Sequence, residues 1–261
     1  MDRERLTSHL QGEHEKQIGI KAIDAAELAW KTNRPQVTDF YDPYEQKVAR
    51  SVLSALVEVN ALAFGGYRQA ERARLVIYPQ FFLTETIESP VRVIQARGNF
   101  NFVNVSHRDY LGSLMGLGIK REKIGDIICL DDGCQVVVAS EIADYLLTHW
   151  NQVHQVSLTV TEIDPEQINV APERVKEIKT TVASMRLDAI AASGFGTSRT
   201  KMAREVKNER VKVNWKTVTN PAHEINQGDV LSIRGRGRVV VEQITGTTKK
   251  GRIGLVLKRM M

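Results

Sequence analysis

Residues 185–236 carry an ordered series of local patterns that constrains the fold more tightly than any other part of the chain. Apolar residues at helical spacing predict a first helix: Leu187, Ile190 and Ala191. Gly194 is expected to end that helix in a left-handed turn. Ser198 is expected to cap a second helix over residues 199–208 through its side-chain oxygen. The strands that follow are expected at residues 211–214 and 230–234, with a turn at Gly228-Asp229.

Positive charge is concentrated in the same C-terminal part of the chain. Residues 174–261 contain 19 Lys and Arg against 7 Asp and Glu, a net charge of +12, whereas the whole chain carries +5. Lys201, Arg204 and Lys207 are three residues apart and therefore share one helix face. Together with Arg199 they predict a positively charged ridge suited to a backbone of phosphates.

The order of these features resembles the S4 RNA-binding domain, whose two helices and small sheet grip structured RNA by shape and phosphate contact. The resemblance implies RNA contacts from Arg186, Ser198, Arg199, Lys201, Arg204, Lys207, Lys212, Asn214, Arg234 and Arg236. Many S4 sequences have Gly after the Val-Asn pair, where this chain has Trp215. The indole either packs beside the turn, which is the favoured interpretation, or stacks on a base.

The chain is predicted to be an α+β protein with a helical N-terminal region, a central ferredoxin-like or RRM-like domain, and a C-terminal S4 (αL-type) domain. The expected limits are residues 1–84 for the mostly helical domain, 85–164 for the central domain, 165–180 for a linker and 181–261 for the S4 domain. In the first domain, Asp42-Pro43 is typical of a helix start, and the helix is expected to continue from Tyr44 to Asn60. A strand is predicted from Leu75 to Tyr78.

The central domain follows the order β-α-β-β-α-β, which defines the ferredoxin-like pattern. A hairpin is predicted around Asp131-Asp132-Gly133. The segment Arg97–Val103 is similar to the aromatic signature of RNA-recognition domains, but it is out of phase and precedes the first helix. Phe100 and Phe102 are therefore interpreted as core or edge aromatics in preference to a base-stacking platform.

The whole chain resembles the YlmH family. The resemblance rests on Phe64-Gly65-Gly66-Tyr67 with Glu71-Arg72, on Ser106–Gly112, on Gly118–Ile127 and on the terminal S4 domain. The chain looks especially like the cyanobacterial and plastid branch of that family, called photosystem II S4 domain protein. The resemblance implies RNA binding tied to the ribosome, with the large subunit and a peptidyl-tRNA left after stalled translation as partners. The resemblance therefore also implies a role in the quality control of translation.

The central motif has both a structural and a functional interpretation. Ser106 and Asp109 have the spacing of a capping box, and Gly112 suggests close helix packing. A second phosphate contact is expected where a helix N-terminus favours anions, and its candidate residues are His107, Arg108, Lys120 and Arg121. Gly65-Gly66 indicates unusual backbone angles or close approach. The neighbouring arginines, Arg68, Arg72 and Arg74, either bind phosphate or form structural pairs, and structural pairing is favoured.

Catalysis is the alternative to a binding function. Arg186-Leu187-Asp188 has the letters of the pseudouridine synthase catalytic motif, but it opens the S4 helix and too few residues remain for a synthase domain. Synthetase signatures and a Gly-rich cofactor loop after a strand are absent from the sequence. The chain is therefore expected to be no enzyme and to need no cofactor or small-molecule substrate. A general RNA chaperone or regulator remains a further alternative.

The composition of the chain excludes several further classes of protein. No run approaches the ~18–20 apolar residues of a membrane span, and the charged N-terminus does not resemble a secretory signal, so a cytoplasmic protein without a membrane partner is expected. Cys129 and Cys134 lack the partners of a zinc site. They are expected to be ordinary buried thiols, and no metal is expected.

Overall fold

The computed structural model describes residues 2–101, 103–170 and 175–260, and its contacts divide the chain into two compact units, Met1–Val170 and Ala171–Met261. The first unit contains the N-terminal helices and the central sheet. The second contains two short helices and a separate sheet. The predicted α+β class is therefore confirmed.

The N-terminal region of the first unit consists of helices packed on a three-stranded antiparallel sheet. Its elements are α1 (Arg3–Thr7), α2 (Glu13–Thr32), β1 (Gln36–Tyr41), α3 (Pro43–Leu53), β2 (Val59–Phe64) and β3 (Ala73–Pro79), with sheet order β1-β3-β2. The apolar faces of α2 and α3 form one core with one side of this sheet.

Helix α3 begins as predicted but is shorter. Asp42 Oδ1 accepts a hydrogen bond from Glu45 N at 2.9 Å, and Pro43 is the first helical residue. The helix ends at Leu53, because Val59–Phe64 pairs along its whole length with β3. The prediction of helix up to Asn60 was wrong, since pairing with the following strand β3 outweighs the local helical spacing.

The central region has the predicted ferredoxin-like arrangement. Its elements are β4 (Val91–Gly98), α4 (His107–Gly116), β5 (Ile124–Leu130), β6 (Gly133–Ala139), α5 (Ser140–His149), β7 (Gln152–Val153) and β8 (Val156–Ile163). The sheet order is β5-β6-β4-β8-β7, and the paired strands are antiparallel. The predicted hairpin around Asp131-Asp132-Gly133 connects β5 to β6.

Both faces of the central sheet are covered. One face packs against α4 and α5, with Tyr110, Leu114 and Leu146 fully or almost fully buried. On the other face, Val137 packs in a cluster with Phe40 of the N-terminal region. Strand β6 is therefore buried at every residue, and the two regions form one unit.

Arg74 joins these two regions through a buried guanidinium. Its Nε donates to Thr38 O at 2.7 Å, and its Nη1 donates to Pro90 O at 2.9 Å. The same guanidinium donates to both carboxylate oxygens of Glu141, at 2.6 and 2.9 Å. Burial alone would raise the pKa of Glu141, but hydrogen bonds from Arg74 and Lys123 outweigh burial and lower that pKa to about 2.

The lowered pKa of Glu141 predicts a pH-dependent part of the stability. The carboxyl has its usual pKa of 4.5 in the unfolded chain and about 2 in the folded chain, so its contribution is complete above pH 4.5 and is lost as the pH falls towards 2. The difference in free energy of unfolding between wild type and E141Q is expected to be constant above about pH 5.5. Below pH 4.5 this difference is expected to shrink, because protonation of the Glu141 carboxyl removes its contribution to stability. Urea unfolding at several pH values measures it; a difference that stays the same at pH 6 and pH 3 would contradict this assignment.

The second unit places two helices on an antiparallel sheet. Its elements are β9 (Val175–Val182), α6 (Leu187–Phe195), α7 (Arg199–Lys207), β10 (Val211–Val213), β11 (Lys216–Thr217), β12 (Val230–Ile233), β13 (Gly237–Thr247) and β14 (Ile253–Met260). The sheet order is β11-β10-β12-β13-β14-β9, and both helices contribute to a single apolar core. The predicted helix-helix-strand order is confirmed.

The first helix of this unit ends two residues later than predicted. Gly196, with φ +63°, is the left-handed residue that ends α6. Gly194 is instead a point of close approach, because a Cβ at that position would lie 2.7 Å from Val239 Cγ1 on β13. The earlier glycine therefore lets the helix pack against the sheet, and the later one terminates the helix.

Strand β9 begins inside the stretch predicted to be a linker. It pairs with β14 at all eight positions, from Val175 opposite Met260 to Val182 opposite Ile253. Residues 175–180 are therefore an edge strand of the second unit, which the local mixture of charged residues did not indicate. The other predicted domain limits stay a prediction.

Candidate nucleic-acid interface

Helix α7 presents a set of cations on its exposed face. Ser198 Oγ accepts a hydrogen bond from Lys201 N at 3.2 Å and so begins the helix. Met202 and Val206 are fully buried and fix the inward face. Because successive residues advance by about 100° around a helix, the outward face carries the remaining long side chains. We call the exposed residues Lys201, Arg204 and Lys207 the α7 ridge.

Arg199 is placed differently from the α7 ridge. Its Nε lies 3.1 Å from Asp188 Oδ2, and Arg186 donates to the same carboxylate at 3.2 and 2.9 Å. The Asp188 side chain is only 6% exposed, whereas the side chains of Arg186 and Arg199 are 39% and 52% exposed. Arg199 therefore joins α7 to α6, and part of each guanidinium remains accessible.

The environment of Asp188 gives the Arg186-Leu187-Asp188 triplet a structural role. Burial would raise the pKa of Asp188, but hydrogen bonds from Arg186 and Arg199 outweigh burial and lower it. Arg186 is the residue immediately before α6, as the sequence analysis predicted for a helix opening. A buried carboxylate held by two guanidinium groups is poorly suited to attack a nucleotide.

The turn between β10 and β11 contains two residues with positive φ. Asn214 has φ +48° and Trp215 has φ +66°, which is typical of a type I′ hairpin turn. Asn214 Nδ2 donates to Asp229 Oδ1 at 2.8 Å, and Asn214 Oδ1 accepts from Val230 N at 2.9 Å. The amide thus ties two turns together, a structural role that accounts for Asn214 without an RNA contact.

A basic groove lies beside this turn. It has a volume of about 1000 Å³ and is lined by residues from α7, from β10, β12 and β13, and from the turns beside them, including Trp215. The cations that line it are Arg210, Lys212, Arg234, Arg236 and Arg238. Glu205 and Glu209 also line it, and Glu205 pairs with Arg210 at 3.4 Å. We call this feature the Trp215 groove.

The groove brings together three predicted residues, Lys212, Arg234 and Arg236, and two that the sequence analysis missed. Arg238 stands with its Cζ 5.7 Å from the centre of the Trp215 ring, a cation–π arrangement. A sequence signal for it existed, since arginine alternates with glycine from Arg234 to Arg238. Arg210 had no comparable signal.

The second candidate group lies at the start of α4. The predicted capping box is present, because Asp109 Oδ2 accepts hydrogen bonds from Ser106 N at 2.9 Å and Ser106 Oγ at 2.6 Å. His107, Arg108 and Lys120 have exposed surfaces. Partial burial, followed by the charge of Arg121, lowers the pKa of His107.

Arg121 differs from the other members of that group. It donates hydrogen bonds to Ile124 O and Gly125 O, and burial together with the charge of Arg72 lowers its pKa to about 10. Its guanidinium is therefore already engaged with backbone carbonyls in the first unit. A phosphate contact by His107, Arg108 and Lys120 stays a prediction.

Comparison with known proteins identifies the family. Family models match residues 15–81 ("YlmH, N-terminal"), 85–167 ("Putative RNA-binding domain in YlmH") and 185–231 ("S4 domain"). The "Ribosome-associated protein quality control protein P2" of Bacillus subtilis is 36% identical over 239 residues, which cover 92% of this chain and 93% of that protein. The chain belongs to the YlmH family. Its resemblance to the cyanobacterial and plastid branch stays a prediction.

Two further relatives match shorter parts of this YlmH-family chain. The "Small ribosomal subunit protein uS4" of Desulfotalea psychrophila is 33% identical over 70 residues, which cover 25% of this chain and 33% of that protein. The solved structure "Cell division protein ylmH from Streptococcus pneumoniae" covers 61% of this chain and 97% of that chain, with a TM-score of 0.52 and 17% identity. The latter similarity supports the fold alone.

In the first unit, several residues that carry the YlmH resemblance stabilise the fold through hydrogen bonds and close contacts. Asp126 Oδ2 accepts hydrogen bonds from Tyr67 Oη at 3.0 Å and from Glu71 N at 2.7 Å, and Arg72 Nη2 donates to Phe40 O at 2.8 Å. A Cβ on Gly66 would lie 2.9 Å from Val137, so this glycine permits close approach. The predicted structural roles are thus confirmed for Gly66, Arg72 and Arg74.

Two other predictions have mixed outcomes. Phe100 packs against the central core and meets Tyr110 edge-to-face at 6.1 Å, as predicted for a core or edge aromatic. Phe102 lies outside the described residues. Gly112 has open space around it among the described residues, so the prediction of close helix packing there was wrong.

The cysteines stand opposite each other on the β5–β6 hairpin as free thiols. Cys134 is buried, but Cys129 is exposed near the end of its strand, so the prediction of two buried thiols was wrong for Cys129. Within the described ranges, no cluster of three or more His, Cys, Asp or Glu side chains has the arrangement of a metal site. None of the described helices combines the length and apolar character needed to cross a membrane.

Proposed function

We propose that this YlmH-family chain is a non-catalytic RNA-binding protein that holds structured rRNA or tRNA through its S4 domain. The observation that carries the proposal is the α7 ridge, whose three exposed cations stand on a helix fixed from below by Met202 and Val206. Its spacing suits a row of phosphates, and positive charge of this kind supplies most of the affinity for nucleic acid. Arg186 and Arg199 add two partly exposed guanidinium groups beside the ridge.

The proposed setting of this binding is the ribosome. A relative that covers nearly the whole chain is named as a ribosome-associated quality control protein, and a relative that matches over 70 residues is named as a ribosomal protein. We extend that association to this chain, with the large subunit and a peptidyl-tRNA left after stalled translation as the partners and the cytoplasm as the compartment. His107, Arg108 and Lys120 are proposed to add secondary phosphate contacts.

Sedimentation of a cell extract on a sucrose gradient tests the association. At low salt the protein is expected to migrate with ribosomal particles, mainly the large subunit, and to return to the top of the gradient at high salt because its contacts are phosphate contacts. Recovery only at the top of the low-salt gradient would exclude ribosome association. If RNA other than rRNA and tRNA co-purifies instead, the general RNA chaperone becomes the better description.

The proposed function is not that of a pseudouridine synthase. Analysis of the modified nucleosides in rRNA and tRNA tests whether the protein has this activity. Asp188 is buried and bound by Arg186 and Arg199, so it is proposed to serve the fold of the S4 helix. The rRNA and tRNA nucleoside profile of a deletion strain is expected to match that of the parent. Loss of one pseudouridine in the deletion strain, restored by wild type but not by D188N, would support the enzyme instead.

A further inference from the structure

Trp215 occupies a backbone conformation that its side chain disfavours. It is the second residue of the two-residue turn between β10 and β11, with φ +66°. Type I′ turns of this kind strongly prefer Gly at this position, because a Cβ clashes locally when φ is positive. Residues held in such conformations cluster at ligand sites, so the retention of a bulky aromatic here requires a reason.

Packing in the second unit does not supply that reason. Among the described residues, the apolar core of the unit does not include Trp215, which is partly buried. The ring instead lines the Trp215 groove and lies next to the Arg238 guanidinium. The favoured interpretation of the sequence, an indole that simply covers a core edge, is therefore not sufficient.

The groove has the chemistry of a nucleotide site. An indole face accepts any base by stacking. The Arg238 guanidinium, which lies over the Trp215 ring, adds a cation–π contact to that ring. Arg234 and Arg236 stand on the turn between β12 and β13 and Lys212 on β10, so the ring has cations beside it that suit phosphate. The volume of about 1000 Å³ is sufficient for a nucleotide and its neighbours.

We propose that the Trp215 groove binds an unpaired RNA nucleotide, with its base stacked on Trp215 and the flanking phosphates held by Arg234 and Arg236. This inference rests on the proposed function and specifies the class of RNA that the Trp215 groove selects. Bases inside an A-form helix are stacked on each other and offer no free face, whereas loops and bulges can splay a base out. The α7 ridge then holds the paired backbone, and the groove selects a helix that carries an unpaired base.

Two RNA probes separate the parts of this proposal. They share one helix, and one probe has a single bulged uridine whereas the other is fully paired. Wild type is expected to bind the bulged probe more tightly by roughly five- to a hundredfold, the range for stacking one base. W215G is expected to remove that preference, so that it binds the two probes alike, whereas W215F is expected to retain much of the preference. W30A, which removes an exposed indole from α2, is the matched control and is expected to behave as wild type.

A bulged 5-bromouridine locates the contact directly. Irradiation is expected to crosslink it to Trp215 in wild type, identified by peptide mass spectrometry, and to give no crosslink at that turn in W215G. The melting temperature of W215G is expected to stay within about 4 °C of wild type, since relief of the strained turn offsets the lost ring contact.

The outcomes distinguish this inference from the proposed function. If wild type binds neither probe at low salt, the proposed function fails. If wild type binds both probes equally, or if folded W215G keeps the preference for the bulged probe, the proposed function stands and the stacking site is overturned.

Discussion

Removal of the α7 ridge by the substitutions K201A/R204A/K207A is expected to weaken binding of structured RNA by about 100- to 1000-fold near 0.1 M salt. Each exposed cation that neutralises one phosphate releases condensed counterions, and this release provides most of the binding free energy under such conditions. The slope of log affinity against log salt is expected to become shallower by up to about one unit per lost contact, hence by about two to three. A filter-binding or anisotropy titration at four salt concentrations measures both quantities.

The choice of residues and of control follows from the structure. Arg199 is left in place because it holds the buried Asp188, so its removal would disturb α6 as well as remove charge. The control K16A/K47A/R50A removes three exposed cations from the N-terminal helices and changes the net charge by the same amount. It is expected to bind RNA nearly as wild type does. Equal losses in both triple variants would show that net charge alone, without the α7 ridge, determines the affinity.

The substitution G133A is expected to cause a large loss of stability. A Cβ at Gly133 would lie 1.9 Å from Ala96 O, a backbone atom of the neighbouring strand β4, which cannot rotate away as a side chain could. The residue has φ +155° and begins β6, the strand buried on both faces. Either the β4–β6 pairing or the hairpin must shift, so the free energy of unfolding of the first unit is expected to fall by at least about 3 kcal/mol.

G112A provides the matched control, because it makes the same chemical change where space is available. Gly112 lies inside α4, and the described residues leave its Cβ position open. Alanine there is expected to stabilise by about 0.5–1 kcal/mol, since glycine is unfavourable inside a helix. Urea unfolding followed by circular dichroism measures both variants. A G133A protein that unfolds at the wild-type midpoint would show that the close contact with β4 is wrong.

Features that depend on neighbours in sequence could be predicted. The Ser198 and Ser106 caps, the Asp131-Asp132 hairpin and the order of elements in the central domain rest on short-range hydrogen bonds and turn chemistry. For the same reason, the outward face of α7 followed from its spacing alone. These signals were enough to define the fold class and the position of the ridge.

Features that depend on distant partners could not be predicted. Most of β9 was predicted to be a linker, because its pairing partner β14 lies far along the chain. The start of β2 was predicted to be helical, because the local helical spacing gives no sign of its pairing with β3. The pairing of Arg199 with Asp188 requires α6 and α7 to pack together. Arg238 joins Trp215 only through the register of the sheet, so the groove became visible only in three dimensions.

We propose that the α7 ridge attaches this YlmH-family chain to ribosomal RNA. The most direct measurement compares sucrose-gradient sedimentation of wild type, K201A/R204A/K207A and K16A/K47A/R50A in the same low-salt extract. Wild type and the control are expected to sediment with ribosomal particles, whereas the folded ridge variant is expected to remain at the top. Sedimentation of the ridge variant with ribosomal particles to the same extent as wild type would contradict it.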